Sequence, residues 1–317
     1  MTMRILVTGA FGFIGTALVH QLHLAGHEVT ALTSQPPDKE LPDLPVAKVV
    51  YGSMLDAEAL RAAVRGAEGI VHLAALTRVR ESFDREIEYL DVNAGGTAEL
   101  IQAAQREARA GGLTMRIVFT STGAVYDTDS PQPFTESSAL RPTNPYALSK
   151  LRAEETLGAA ARTSPELSVA IMRAFNVAGA AHGRRDGDLS RIIPKTLAVA
   201  AGHAPSLQVN GDGSALRDFV HVSDAARALI AALQAEPTGS PRIFNVGATP
   251  ASVSDIIEVC RKVTGRTITL ENLPPKPEPQ ALLADCALIR RELHWAPLQS
   301  DIATIVSDAW AATSACR

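Results

Sequence analysis

The chain has 317 residues, with 30 Lys plus Arg against 34 Asp plus Glu and a net charge of −4, so it lacks the clustered basic excess that a nucleic-acid surface requires. Its 46% hydrophobic content excludes a disordered chain and suits one large α/β domain, alone or with a smaller satellite. No apolar run is long enough to span a bilayer, and the N-terminus MTMRILVTGA enters a strand without the apolar core of a signal peptide. Cys260, Cys286 and Cys316 have no metal-ligand spacing and cannot build a disulfide framework. The expectation is a cytoplasmic protein with reduced thiols, no metal, no membrane segment and no nucleic-acid partner.

Arg4–Thr8 (RILVT) is a β-branched run that suits a strand buried on both faces, and it stops at Gly9. A helix follows over Ile14–Ala25, ended by Gly26. Glu28–Leu32 and Val46–Tyr51 read as strands on either side of a Pro-rich loop, Pro36–Pro45. Asp56–Arg65 reads as a helix with Asp56 as its N-cap, and Gly69–Leu73 as a strand. One long helix is expected over Ile87–Ala110, then a strand at Arg116–Ser121, a helix at Tyr146–Ala161 and a strand at Ser168–Arg173. This alternation predicts an α/β fold with a doubly wound (Rossmann) parallel sheet, because parallel neighbours need helical crossovers.

The pattern changes after Asn176. Ala178–Leu189 reads as a loop and Ile192–Gly202 as a helix. Leu216–Val222 and Arg242–Val246 read as short strands around a helix at Ser223–Ala235. A helix at Ser252–Gly265, a Pro-rich loop at Pro274–Pro279 and closing helices complete the chain. The expected division is a dinucleotide-binding domain over residues 1–176, with 216–247 returning to it, and a smaller mixed substrate lobe from 177–215 and 248–317.

Gly9-Ala10-Phe11-Gly12-Phe13-Ile14-Gly15 lies between the first strand and the first helix. Gly9 permits the tight turn, Gly12 lets a pyrophosphate approach the backbone, and Gly15 lets helix and strand pack closely. The helix N-terminus that follows offers free N–H groups to the phosphates. An acid for the adenosine ribose is expected about 20 residues further on. The second strand instead runs into Thr33 and Ser34. These hydroxyls accept either NAD or NADP, and with no Arg following, NAD is favoured. Asp56, behind Met54 and Leu55, could accept from the adenine amino group or simply cap its helix.

Tyr146 and Lys150 stand four apart on one helix face. A phenol ordinarily has a pKa of about 10. A nearby ammonium stabilises the phenolate, so that Tyr146 can exchange a proton with a sugar hydroxyl or ketone. Lys150 can also bond the nicotinamide ribose. The strand before this helix ends in the hydroxyls Thr120, Ser121 and Thr122, where ligands of open α/β sheets bind. Thr122 is the best placed to share the reacting oxygen; plain strand-end turn chemistry is the rival reading.

With these pieces in place the chain resembles the extended short-chain dehydrogenase/reductase family, within its nucleotide-sugar epimerase/dehydratase branch. The resemblance rests on Thr8-Gly-Ala-Phe-Gly-Phe-Ile-Gly15, His72-Leu-Ala-Ala75, Val92-Asn93 with Gly96-Thr97, Ser121-Thr122, Tyr146-x3-Lys150 and Arg173-Ala-Phe-Asn176. It continues through Gly211-Asp-Gly213, Arg217-Asp-Phe-Val-His-Val222, Asn245-Val-Gly247, Glu292-Leu-His-Trp295 and Asp308-Ala-Trp310. The resemblance implies that Leu73, Ala74 and Ala75 flank the cofactor and that Asn93 holds the active-site backbone. It implies a substrate site at Thr77, Asn176, Asn210 and Arg217, and a homodimer. An Arg–carboxylate pair with Asp218 or Asp224 is the competing role for Arg217. Asp127 follows Tyr126 where family members often have Gly, and Asn210 stands where an aromatic often stacks the base. The Arg expected in the C-terminal lobe is absent from Pro274-Pro275-Lys276-Pro277-Glu278, leaving Lys276 and Arg191 to supply that charge.

Elimination of water from a sugar would need acids after Thr122, and Gly123 and Ala124 stand there. The expected activity is therefore 4-epimerisation of a nucleotide sugar through a 4-keto sugar. An NADP-dependent 4-ketoreductase acting on a nucleotide-linked deoxysugar would use the same Tyr, Lys and Thr. A non-catalytic dinucleotide sensor would need no proton-transfer set.

Overall fold

In the computed structural model, which describes residues 2–275 and 278–314, aliphatic strands bounded by glycines and polar turns line up in one parallel sheet. Its strands are β1 (Arg4–Thr8), β2 (Glu28–Thr33), β3 (Lys48–Tyr51), β4 (Gly69–His72), β5 (Met115–Thr122), β6 (Leu167–Ala174) and the strand Arg242–Val246. The order across the seven-stranded sheet is Arg242–Val246, β6, β5, β4, β1, β2, β3. The winding reverses at β1, whose neighbours are β2 and β4, so a crevice opens above their carboxyl ends.

Helices cover both faces. On one face, Leu18 and Leu22 of α1 (Phe13–Leu24) share a core with Leu229 and Leu233 of the helix Val222–Gln234. On the other, Leu60 of α2 (Ala57–Val64) packs with side chains from two later helices. The long helix expected over Ile87–Ala110 is broken. Short helices α3 (Val79–Ser82) and α4 (Glu86–Tyr89) lead into a π-helical turn at Leu90–Gly95, and only then does α5 (Gly96–Gly111) run regularly. The wide turn carries Asn93 into the interior, where it is buried. At the start of α5 a Cβ on Gly96 would stand 2.6 Å from the Met54 Cβ, so a larger residue would push α5 away from the β3–α2 connection. α6 (Pro145–Thr163) starts on the Asn144 cap, whose side chain accepts from the Ala147 amide at 2.9 Å.

The remaining strands form a second lobe. Leu216–His221 pairs with Asn176–Ala178 and Ala281–Leu282 in parallel and with Thr249–Ser252 antiparallel. Leu207–Asn210 pairs with Leu270–Leu273. The expected loop after Ala178 holds a small hairpin, Ala180–Ala181 against Arg184–Arg185. These pieces are two to six residues long, mostly too short to show an alternating pattern. Ile193, Leu197, Ile256, Cys260 and Ile305 give the lobe its own core. Among the described residues no helix is long and apolar enough to cross a membrane.

Candidate active site

Gly9 sits at φ 72°, a left-handed conformation that other residues rarely hold, and a Cβ there would stand 2.9 Å from the Ala74 nitrogen. A Cβ on Gly15 would lie 2.6 Å from the Ala10 carbonyl oxygen. The Gly12 amide donates to the Gly9 carbonyl at 3.0 Å and closes the turn. Gly12 then serves as the N-cap of α1 without a side chain, and no acid lies in the first turn. Phe11 is buried, with Phe13 and Ile14 half-buried beside it. The result is a tight cradle whose free N–H groups and positive helix end suit a diphosphate.

At the end of β2, Thr33 is buried and its hydroxyl accepts from the Gln35 amide at 3.2 Å, while Ser34 is exposed. Met54 is buried and Leu55 exposed. Asp56 caps α2: Oδ1 accepts from the amides of Glu58 and Ala59, both at 3.0 Å. Its Oδ2 is not used by the cap.

A buried hydrogen-bond chain joins the glycine loop to the Tyr–Lys helix. The Thr8 hydroxyl accepts from the amides of Leu73 at 3.2 Å and Ala74 at 3.1 Å, fixing the backbone that flanks the cradle. Thr97 donates to the Asn93 carbonyl at 2.6 Å, so at 3.0 Å from His72 Nε2 it accepts. His72 therefore carries its proton on Nε2, and Nδ1 accepts from Thr8 at 2.7 Å. Burial, aided by the charge of Lys150, pushes the His72 pKa down to about 3 and keeps the ring neutral. Asn93 donates to the Leu76 carbonyl and to Ser149 Oγ, each at 2.9 Å, and accepts from the Leu76 amide at 2.8 Å. Ser149 in turn donates to the Tyr146 carbonyl at 2.7 Å. Leu73, Ala74 and Ala75 are half-buried along this path, and Thr77 is exposed just beyond it.

Tyr146 and Lys150 lie on consecutive turns of α6. Burial pushes the Tyr146 phenol up, opposed by the charge of Arg191 and by hydrogen bonding with Thr122. The lowering expected from Lys150 is not what acts here. Lys150 is itself 3% exposed, with its ammonium 4.1 Å from the centroid of the Phe119 ring. Burial, opposed by Glu154, holds its pKa down at about 7. Thr122 Oγ1 accepts from the Ala124 amide at 3.2 Å, which leaves its proton to donate. The hydroxyls of Thr120 and Ser121 are buried without a partner. Orphaned donors at a strand end that faces the crevice are suited to a bound ligand.

The substrate candidates divide. Asn210 and Arg217 come together through Glu278, which accepts from Asn210 Nδ2 at 3.2 Å and from Arg217 at 3.3 Å. Arg217 thus pairs with neither expected carboxylate. Asp218 accepts from the amides of Ala248 and Ala284, and Asp224 is held by Arg227, Ser300 and nearby amides. Asn176 is exposed, and its Nδ2 donates to the Asp218 carbonyl at 2.9 Å. Arg191 pairs with Asp186 at 3.1 Å and reaches Tyr146 electrostatically. Lys276 lies outside the described residues, as does Cys316. His72, Ser149, Glu154, Arg173 and Glu278 also border the site, though none is a reactive group by residue type and spacing. His72 and Arg173 each open a family motif, His72-Leu-Ala-Ala75 and Arg173-Ala-Phe-Asn176, the one sequence signal that points to them.

A doubly wound sheet with a glycine cradle at its switch point, and a Tyr–Lys pair beside orphaned strand-end hydroxyls, defines a dinucleotide-binding protein equipped for proton exchange. The comparisons with known proteins agree. Residues 5–247 match the NAD dependent epimerase/dehydratase family, and the chain belongs to that family. It is 35% identical to a UDP-glucose 4-epimerase of Corynebacterium glutamicum, covering 99% of this chain and 96% of the relative. A UDP-glucose 4-epimerase of Streptomyces lividans is also 35% identical, over 98% of this chain and 96% of that one. Among solved structures, UDP-glucose-4-epimerase from Stenotrophomonas maltophila, with bound NAD and formylated UDP-arabinopyranose, superposes with a TM-score of 0.90 at 29% identity. That alignment covers 99% of this chain and 98% of the other. UDP-glucose 4-epimerase from Brucella ovis in complex with NAD gives 0.89 at 28% identity, with 98% of each chain covered.

Proposed function

We propose that the chain is a nucleotide-sugar 4-epimerase that works with bound NAD on a UDP-hexose. The observation that carries this reading is the set of Thr122 at the end of β5, hydrogen-bonded with Tyr146, and Lys150 one turn along α6, with Gly123 and Ala124 where a dehydratase would need acids. The cradle, the uncapped first turn of α1 and the orphaned hydroxyls of Thr120 and Ser121 fit a dinucleotide. In this reading Gly9, Phe11, Gly12, Phe13, Ile14 and Gly15 hold the diphosphate. Thr33, Ser34, Met54, Leu55 and Asp56 surround the adenosine, with Asp56 Oδ2 left to accept from its amino group. NAD supplies a reversible hydride acceptor for sugar C4.

As the phenolate, which Arg191 and the Thr122 hydrogen bond favour against burial, Tyr146 would take the proton of the sugar O4 hydroxyl and, then a phenol, return it after the 4-keto sugar has presented its other face. Thr122 donates to the same oxygen and fixes its distance from the phenol. Lys150, one turn along α6 from Tyr146, would bond the nicotinamide ribose. Arg217, freed from Glu278, forks the substrate diphosphate, with Asn176, Asn210, Thr77 and Arg191 around the nucleotide and sugar. Residues 1–176 with 216–247 carry the cofactor, and 177–215 with 248–317 close over the substrate; the separate core of the second lobe supports that division except at Leu216–His221, whose strand lies in the second lobe's sheet and whose Phe219 joins its core.

The test is conversion of UDP-galactose to UDP-glucose by purified protein, with the nucleotide released on denaturation identified by mass. Tyr146→Phe is expected to lower kcat about 10³-fold while leaving UDP-sugar affinity intact. Full turnover in that variant refutes the assignment. A second reading, an NADP-dependent 4-ketoreductase, is favoured by Thr33 in place of an acid. Purification without nucleotide, together with tighter binding of NADPH than NADH, would select it.

We further propose a cytoplasmic homodimer. The reduced, buried Cys260 and Cys286 support the compartment. The exposed apolar side chains Val79, Phe83 (61% exposed) and Ile87 (75%), close together in sequence along α3 and α4, support the contact. A Phe83→Asp/Ile87→Asp variant should sediment as a monomer where the unaltered chain sediments as a dimer.

A further inference from the structure

Lys150 is followed one turn later on α6 by Glu154, and both are buried. Glu154 is gripped by Arg173 of β6: Nε lies 3.1 Å and 3.2 Å from the two carboxylate oxygens, and a terminal nitrogen 2.7 Å from Oε2. Arg173 is 2% exposed and stands in register opposite Ser121. Its other terminal nitrogen donates to Tyr126 Oη at 3.1 Å and to the Glu136 carbonyl at 3.3 Å. Tyr126 Oη passes its own proton to Asn245 Oδ1 at 2.7 Å. Such a pair is weak evidence of stabilisation, because desolvation cancels much of the attraction. Its place, directly under the lysine of the proton-transfer set, suggests a different use.

We propose that Glu154 is a positioning residue whose carboxylate, clamped by Arg173, keeps the buried Lys150 ammonium charged while leaving it free to reach the cofactor ribose and Tyr146. The inference rests on the hydride-exchange reading of Tyr146 and Lys150. A glutamate four residues from a lysine would ordinarily bond it directly. Here three bonds from Arg173 engage both oxygens, so Glu154 acts on Lys150 through its field and does not tether it. The titratable groups that interact with Lys150 are Glu154 on its own helix and His72 on β4, with Arg173 on β6 behind Glu154. His72 is neutral, and the charge that offsets the burial of Lys150 is that of Glu154, its field reduced by Arg173 behind it.

The experiment is an NMR titration of the Lys150 side chain, assigned by Lys150→Met, beside the pH profile of kcat. Glu154→Gln should move the Lys150 midpoint, and the alkaline limb of kcat, down by about one pH unit. Glu154→Asp, which keeps the charge, should restore most of the shift. If Glu154→Gln fails to fold, the pair-replacing variant Glu154→Leu/Arg173→Met retains volume and, because it also removes the Arg173 cation, should move the midpoint in the same direction by a smaller amount. An unmoved midpoint in whichever charge-removing variant folds overturns the proposal. The NMR midpoint decides this even for a chain without epimerase activity, so the two readings fail separately.

Discussion

Asn93 should be worth more to catalysis than to stability, and Asn93→Ala separates the two. The substitution removes three buried hydrogen bonds, two to the Leu76 backbone and one to Ser149. At about 1 kcal/mol each, the folded state loses roughly 3 kcal/mol. An unfolding entropy of about 2.1 cal/mol/K per residue over 317 residues turns this into a fall in Tm of about 4–5 °C. The catalytic effect is larger because Asn93 fixes both the loop beside the glycine cradle and, through Ser149, the start of the Tyr146 turn. A displacement of about 1 Å between reacting groups costs on the order of 100-fold in rate. Asn93→Asp is the finer probe. It keeps the acceptor for the Leu76 amide, removes both donors, and draws the Ser149 hydroxyl away from the Tyr146 carbonyl. Both variants should lose kcat by about 100-fold with modest changes in KM, read by steady-state epimerase assay beside differential scanning calorimetry. An Asn93→Ala chain that melts 4–5 °C lower yet keeps its kcat would show the network to be structural only. One that keeps its Tm would refute the accounting altogether.

Two further outcomes follow from the same geometry. Gly15→Ala forces a Cβ to within 2.6 Å of the Ala10 carbonyl oxygen, so the loop must open; nucleotide binding measured by calorimetry should be abolished, and wild-type affinity would contradict the close packing. His72 has a pKa of about 3 in the folded chain against 6.5 ordinarily. The unfolded chain therefore takes up a proton first as pH falls, and this group withdraws stability between about pH 6.5 and pH 3 while leaving it flat above. His72→Gln should be less stable at pH 7 because the Thr8–Thr97 bridge is cut, yet lose less on acidification; equal acid slopes for both proteins in denaturant titrations would refute the buried neutral histidine.

The sheet was legible in the sequence because its central strands are buried along almost their whole length, and a run such as Ile5–Thr8 or Gly69–His72 has almost no other way to hide its aliphatic residues. The glycine cradle was legible for a different reason: only Gly meets a positive φ at Gly9 and the close backbone at Gly15. What the sequence hid is what depends on partners far away in the chain. A π-helical turn is set by one extra residue per turn, which hydrophobic periodicity over Ile87–Ala110 does not register. Asn93 enters the interior only because Leu76 and Ser149 are there to receive it. For Arg217 the rival to a substrate role is a pair with the adjacent Asp218 or the nearby Asp224, but both carboxylates serve orphan amides of other segments, Ala248 and Ala284 for one, Leu298 and Gln299 for the other. That demand is invisible locally, and it is what leaves Arg217 to Glu278, in a strap sixty-one residues away. If Arg217 holds the diphosphate as proposed, the ligand must displace a carboxylate that already bonds to it at 3.3 Å. Affinity at the proposed site would then be the difference between two ion pairs, and Glu278→Gln should tighten UDP binding where removal of an ordinary surface acid would leave it unchanged.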